Sequence, residues 1–164
     1  MKLAMIGLGK MGANMVRRLA GDQHEIVAYD VSHEAALGLE QEVDSVSAVD
    51  DLPQLLSSLS GPRIVWLMVP HQFVDHTLDE LLASGLTAGD IVIDGGNSNY
   101  RLSQKRGHRL QQEGIHFVDC GTSGGVWGLD NGYSLMVGGS DLAVAYIEPI
   151  LHSLAPSSDI GWGH

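Results

Sequence analysis

Basic residues are scarce in this chain of 164 residues: 9 Lys and Arg stand against 20 Asp and Glu, a formal net charge of −11 at pH 7. A field of that sign repels polyanions, which excludes sequence-independent binding to nucleic acid or to anionic membrane surfaces. Cysteine is rarer still. The one thiol, Cys120, has no partner for an internal disulfide, which fits a reducing compartment. No Cys/His spacing among the 8 histidines suits a metal such as zinc. Long apolar runs are missing too: none approaches the roughly 18 residues of a membrane span, and the N-terminus lacks the basic flank and cleavage site of a signal peptide. The sequence therefore reads as that of a soluble, cytoplasmic protein. What it has in excess is glycine, 21 residues or about 13% against a usual share of about 7%, without any collagen-like period. Such glycines mark turns and close backbone approaches.

The length suits one ordinary domain, and 44% hydrophobic against 18% charged residues suffice for a core. Residues 2–6 form a nearly all-apolar run that stops at Gly7, as a parallel strand covered on both faces would. Over Lys10–Ala20, Met11, Met15, Val16 and Leu19 recur at helical spacing. The same reading predicts strands over Glu25–Tyr29, Val46–Val49, Arg63–Val69, Ile91–Ile93, His116–Asp119 and Tyr133–Val137. It predicts helices over Glu34–Glu42, after Asp51 with Pro53 in the first turn, and over Phe73–Ala83, Asn99–Glu113 and Asp141–Leu154. Strand and helix alternate throughout. That is the pattern of an α/β fold, Rossmann-like and doubly wound, with a mostly parallel sheet and helices on both faces, in a single domain over 1–164.

Between the first strand and the first helix stand Gly7, Leu8, Gly9, Lys10, Met11 and Gly12, the pattern G-x-G-x-x-G. Gly7 permits the tight turn, Gly9 lets the backbone approach a pyrophosphate, and Gly12 lets helix and strand pack closely. The free N–H groups and positive dipole end of the helix then face the phosphates. A merely tight strand-to-helix turn is the plainer alternative. The second strand ends at Asp30, 18 residues beyond Gly12, where such a fold places the acid that accepts from the adenosine ribose hydroxyls. A carboxylate there repels a 2′-phosphate, and Val31 and Ser32 offer no arginine to hold one, so NAD is expected over NADP. Asp30 could also simply cap the following helix.

Two glycine-rich turns follow strands downstream: Asp94, Gly95, Gly96, Asn97, Ser98, Asn99, Tyr100, and Cys120, Gly121, Thr122, Ser123, Gly124, Gly125 with Gly128 beyond. The amide of Asn97 can donate and accept, and Ser123 with the backbone of Gly124 and Gly125 can offer several donors to one anion. The two nests could converge on a small polar substrate, or be ordinary glycine turns.

Together these segments closely resemble the 6-phosphogluconate dehydrogenase family, within the wider β-hydroxyacid dehydrogenase group, over essentially the whole chain. Gly7–Gly12 followed by Ala13-Asn14-Met15, the strand Trp66-Leu67-Met68-Val69, and Ser123-Gly124-Gly125 are common to that group. Asp94-Gly95-Gly96-Asn97-Ser98 discriminates, because the hydroxyisobutyrate branch carries a serine- and threonine-containing segment there. Asp30 is similar to the NAD-preferring, shorter-chain branch. The resemblance implies that Gly7 to Gly12 bind the cofactor pyrophosphate and Asp30 its ribose, and that Val69 lies against the cofactor. It also implies that Asn97 contacts nicotinamide ribose and substrate, and that Ser123, Gly124 and Gly125 hold the sugar acid.

The implied reaction moves hydride from C3 of 6-phosphogluconate to NAD and releases CO2, leaving ribulose 5-phosphate, a step of the pentose phosphate pathway. In the family a lysine is the general base and a glutamate the general acid, shortly after a Gly-rich segment. Gly161-Trp162-Gly163-His164 stands near where that segment begins, and none of Lys2, Lys10 and Lys105 is at the matching position. Both catalytic residues are therefore expected beyond His164, in a helical C-terminal domain through which family members pair as homo-oligomers. The chain itself is expected to bind dinucleotide without appreciable dehydrogenase activity, since proton transfer and substrate orientation both need the other half.

Several residues are set aside. His71, His76, His108 and His116 titrate near neutrality, and His71, two residues beyond Val69, has the best position for a functional contact. Cys120 has no partner base and reads as a small packed residue. Arg101, Lys105, Arg106 and Arg109 share one predicted helix and read as a solvated face or a contact with a partner domain. Two other functions fit the cofactor loop: a hydroxyisobutyrate-type dehydrogenase, and a non-catalytic module that senses NAD(H). A pure sensor has no need of Asn97 with Ser123-Gly124-Gly125.

Overall fold

A nearly continuous apolar run in the first strand commits it to two covered faces, and the computed structural model, which describes residues 1–157, places it in the interior of the sheet. In chain order the elements are β1 (Lys2–Ile6), α1 (Lys10–Gly21), β2 (Glu25–Tyr29), α2 (His33–Glu42), β3 (Val46–Ala48), α3 (Leu52–Ser57) and β4 (Ile64–Leu67). A 3₁₀ turn at His71–Phe73 leads into α4 (Val74–Ala83), then β5 (Ile91–Asp94), α5 (Tyr100–Gln112) and β6 (His116–Ser123). A second 3₁₀ turn, Gly125–Trp127, precedes α6 (Gly128–Asn131), β7 (Ser134–Gly138) and α7 (Asp141–Leu154). The strand order is β3-β2-β1-β4-β5-β6-β7, parallel except for β7. The Rossmann-like α/β fold expected from the alternation is thus the one observed.

Successive residues of a strand point to opposite faces, and the core divides accordingly. Leu3 and Met5 pack with Met15 and Leu19 of α1 and Ile147 and Ile150 of α7. Ala4 and Ile6 pack with Leu55 of α3, Leu78 of α4 and Leu110 of α5. Helix starts follow local chemistry: Asp51 accepts from the Gln54 N–H at 2.8 Å with Pro53 in the first turn, and Asn99 accepts from the Arg101 N–H at 3.0 Å.

Two strand ends differ from the sequence expectation by two residues or more. β4 stops at Leu67, two residues short of Val69. β6 runs on to Ser123, because β7 returns antiparallel and pairs Cys120 with Val137 and Ser123 with Ser134. The second glycine-rich segment is therefore strand as far as Ser123, and its turn begins at Gly124. The 3₁₀ turns and the four-residue α6 were not expected; each is too short to show a period. Gly161-Trp162-Gly163-His164 lies outside the described residues.

At the amino ends of the strands the first residue and the end of α7 are tied together through His24. The Met1 ammonium donates to Nδ1 of buried His24 at 3.1 Å, and Nε2 of His24 lies 2.8 Å from the Ser153 hydroxyl on α7, which also bonds Asp22. Arg18 donates to the carbonyls of Leu129, Ser153 and Ala155 at 3.0, 2.8 and 2.8 Å. Among the described residues, no helix is long and apolar enough to cross a membrane.

Candidate functional site

The strand order reverses between β1 and β4, where an open α/β sheet leaves a crevice at its carboxyl end. A cleft of about 860 Å³ opens there. Gly7, Gly9, Lys10, Met11 and Gly12 form one wall, Asp30 stands at the end of β2, and Val69, Gly96 and Asn97 come from the loops after β4 and β5. Leu8 is the one cofactor candidate absent from the lining. It is buried, and its backbone N–H donates to the Asp30 carboxylate at 2.6 Å.

Two of the three loop glycines are required by the fold. Gly7 has φ +94°, a conformation unfavourable to side chains, and a β-carbon on Gly12 would overlap the Gly7 carbonyl oxygen. A β-carbon on Gly9 would meet no protein atom within 4 Å. The space beside Gly9 is therefore open to something other than protein. No side chain caps α1 at Gly9, so the N–H groups of its first turn, which have no intrahelical acceptor, are available to an anion. This donor set fits a pyrophosphate.

Asp30 does two things. One oxygen holds Leu8, and the other accepts from the Ser32 N–H at 2.8 Å, at the entry to α2. Beside it, the Tyr29 hydroxyl is pushed above its ordinary range, chiefly by burial and then by the carboxylates of Glu80, Asp30 and Asp51. This end of the cleft is anionic.

The two downstream nests do converge. Asn97, at φ +55°, a conformation asparagine tolerates, donates from Nδ2 to the Thr122 carbonyl at 3.2 Å and accepts at Oδ1 from the Thr122 N–H at 3.1 Å. One N–H and one lone pair of its amide remain, and Ser123 is the next residue along β6. Ser123, Gly124 and Gly125 adjoin the cleft through this bridge but do not line it.

Sequence reasoning missed one wall. Phe73, His76, Thr77 and Glu80 line the cleft from α4 and the turn before it, at the spacing of one helix face, a signal that was available in the chain. His76 rather than His71 thus reaches the cleft. His71 is exposed and offers only its carbonyl oxygen, to Arg106. Among the described residues, no three His, Cys, Asp or Glu side chains gather as a metal site requires. Cys120 is fully buried, and burial pushes its thiol to about 12, so it is no nucleophile.

The basic helix needs correction. Arg101, Lys105 and Arg109 are exposed, but Arg106 is only 3% exposed. With Ser103 and Leu110 it forms the inward face of α5, and two carboxylates await it. Arg106 donates from Nε and Nη2 to Asp75 at 2.9 and 3.0 Å, and from Nη1 to Ser98 Oγ at 2.9 Å and to fully buried Asp94 at 3.3 Å. These bonds hold the Asp75 carboxyl below its ordinary range. Asp119, across on β6, is instead held above it, first by burial and then by the charge of Asp94.

A glycine loop with an open helix end, an acid closing the second strand, and a polar bridge at the switch point define a dinucleotide-binding domain of the Rossmann class. The model of the NAD binding domain of 6-phosphogluconate dehydrogenase matches residues 2–162. The chain belongs to that family. The NAD(+)-dependent, decarboxylating 6-phosphogluconate dehydrogenase of Haloferax volcanii is 39% identical over 165 residues, covering 100% of this chain and 53% of that protein. A Plasmodium falciparum 6-phosphogluconate dehydrogenase, solved apo, with NADP+ and with 6-phosphogluconate, superposes at a TM-score of 0.88 and 27% identity over 96% of this chain and 34% of its own. Mycobacterium tuberculosis 3-hydroxyisobutyrate dehydrogenase, solved with L-serine, gives 0.83 and 26% over 94% and 52%. The chain spans about half the length of the Haloferax relative.

Proposed function

We propose that the chain is the cofactor-binding half of an oxidoreductase that oxidises and decarboxylates 6-phosphogluconate with NAD. One observation carries this reading: the cleft brings the open Gly9 loop, Asp30 and Asn97 together, with Asn97 bridged to the residue before Ser123. Gly7 to Gly12 and the first turn of α1 would hold the pyrophosphate. Asp30 would accept from the ribose hydroxyls, already oriented by Leu8 and Ser32. Val69 would pack against the cofactor, Asn97 would use its remaining donor and acceptor on ribose and substrate, and Ser123, Gly124 and Gly125 would hold the sugar acid. When bound, the nicotinamide supplies the hydride acceptor.

The anionic end around Asp30 and Glu80 supports NAD over NADP, since a 2′-phosphate would meet carboxylates. We assign the general base and acid to a helical domain outside this chain, and read the whole protein as a cytoplasmic homo-oligomer of the pentose phosphate pathway. The segment Asp94–Ser98 favours this over a hydroxyisobutyrate-type activity. Calorimetry on the chain with NAD and NADP, and absorbance at the NADH band with 6-phosphogluconate, test it. The expected results are tighter binding of NAD and no turnover. Equal affinities overturn the preference, absence of any binding overturns the reading, and turnover by these residues overturns the placing of the catalytic pair elsewhere.

A further inference from the structure

Arg106 touches no part of the cleft, yet it holds both loops that form the cleft's far side. On the first, its guanidinium grips the Asp75 carboxylate with two bonds and the His71 carbonyl with a third at 3.3 Å. His71 and Asp75 flank Phe73, in the segment that follows Val69 and Pro70, and all three of those residues line the cleft. On the second, Nη1 reaches Ser98 and Asp94. Asp94 completes the hold: one oxygen accepts from the Gly96 N–H at 3.0 Å, the other from the Ser98 hydroxyl at 2.7 Å. Gly96 and Asn97, which also line the cleft, are thereby tied to the same guanidinium.

Stability alone is a poor account of this arrangement. Burying an arginine with carboxylates costs desolvation that the pairing only partly recovers, and an apolar side chain of similar volume commonly does as well. What a guanidinium adds is a rigid planar fork with five donors, able to hold several acceptors at fixed relative positions. Here the acceptors flank two loops that follow neighbouring strands: His71 and Asp75 in the turn and first residues of α4, and Asp94 and Ser98 at the end of β5 and in the loop after it.

We propose that Arg106 is a positioning residue that sets the spacing between the loop after β4, on the cofactor side, and the loop after β5, which carries Asn97. Dinucleotide affinity then depends on a side chain that contacts no ligand. The affinity part rests on the cofactor reading above; the coupling of the two loops does not.

The test compares Arg106→Lys with Arg63→Lys in the full chain. Arg63 makes a comparable, partly buried bridge at the opposite ends of the same strands, to Asp90 at 2.9 Å and to the Thr87 hydroxyl at 3.0 Å. Hydrogen exchange and NAD affinity are read on both. Arg106→Lys is expected to speed amide exchange in 69–73 and 95–98 together and to weaken NAD at least fivefold. Arg63→Lys is expected to lower Tm while leaving both readouts within twofold of the parent. Exchange that rises in one loop only, or in neither, overturns the inference, as does unchanged NAD affinity in a folded Arg106→Lys chain. If Arg106→Lys does not fold, Ser98→Ala removes one arm of the hold: faster exchange in 95–98 with weaker NAD supports the inference, and parental values of both overturn it. A parent chain that binds no NAD removes the cofactor reading, and the exchange pattern alone then decides the coupling.

Discussion

The Leu8 backbone N–H and the Asp30 carboxylate, 22 residues apart, are joined by a bond of 2.6 Å. The acid at the end of β2 therefore anchors the glycine loop as well as facing the cleft. With Ser32 on its other oxygen, the carboxylate is held before any ligand arrives.

Replacing Asp30 should act on cofactor choice and on affinity together. Bonds from a ribose to a charged acceptor contribute about 1.5–3 kcal/mol, so Asp30→Ala should weaken NAD by roughly tenfold or more and NADP by less. Calorimetry with both nucleotides checks it, and an unchanged NAD/NADP ratio would sink the ribose assignment.

Gly9 and Gly12 should separate binding from folding. Gly12→Ala forces a β-carbon against the Gly7 carbonyl and should cost about 1–3 kcal/mol, the range for overpacking. Gly9→Ala meets no protein atom and should cost no more than about 1 kcal/mol, the loss of a glycine at a helix N-cap. Its NAD affinity should nevertheless fall severalfold or more. Thermal melts should show Gly12→Ala well below the parent and Gly9→Ala close to it, while titrations should show Gly9→Ala losing NAD affinity; parental NAD affinity in Gly9→Ala would mean the Gly9 opening serves no ligand.

Cys120 should be silent to thiol reagents. With its thiol at about 12, roughly one in ten thousand is ionised at pH 8, and burial blocks access as well. Labelling should follow urea unfolding, and stoichiometric labelling of the folded chain would contradict the burial.

Acidification should loosen the chain through His24. Burial, then the neighbouring Met1 ammonium, hold its imidazole below the ordinary 6.5, with Asp22 opposing them. The unfolded chain therefore takes up the proton first. Stability from this group is complete above pH 6.5 and falls as pH drops below it towards the folded value. Asp75 and Asp90, held below 3.8, add a loss only at more acid pH, while Asp119, held above it, works in the opposite direction. Urea melts at pH 7.5 and 5.5 should show His24→Gln weaker by about 1–2 kcal/mol at the higher pH, for lost hydrogen bonds. That deficit should narrow at the lower pH. A deficit that stays constant would remove His24 as the cause.

The parts of the site legible in the sequence are those whose reasons are local. Gly7, Gly9 and Gly12 announce themselves by spacing, and Asp30 by closing a strand at a set distance from them. Asn97 could be nominated from its turn, but its bridge to Thr122 depends on β5 and β6 lying side by side, which no local pattern encodes. Arg106 was misplaced because four basic residues at helical spacing look like a wet surface, and only buried Asp94 at the end of β5, with Asp75 at the start of α4, turns one of them inward. β6 outran its expected length for the same reason: Gly121 and Ser123 are weak strand formers, and the partner that makes them strand is β7, eleven residues beyond Ser123. Long-range pairing overrode local propensity in each case.

The bonds joining Met1, His24 and Ser153 bring the first residue and the last turn of α7 together at the side of the sheet away from the cleft. Topologically the domain is close to a ring. A short Gly/Ser tether from Ala155 to Met1, with new ends cut at the exposed Gly89, would give a circular permutant with the same sheet order. The binding cleft would then be indifferent to where the polypeptide starts.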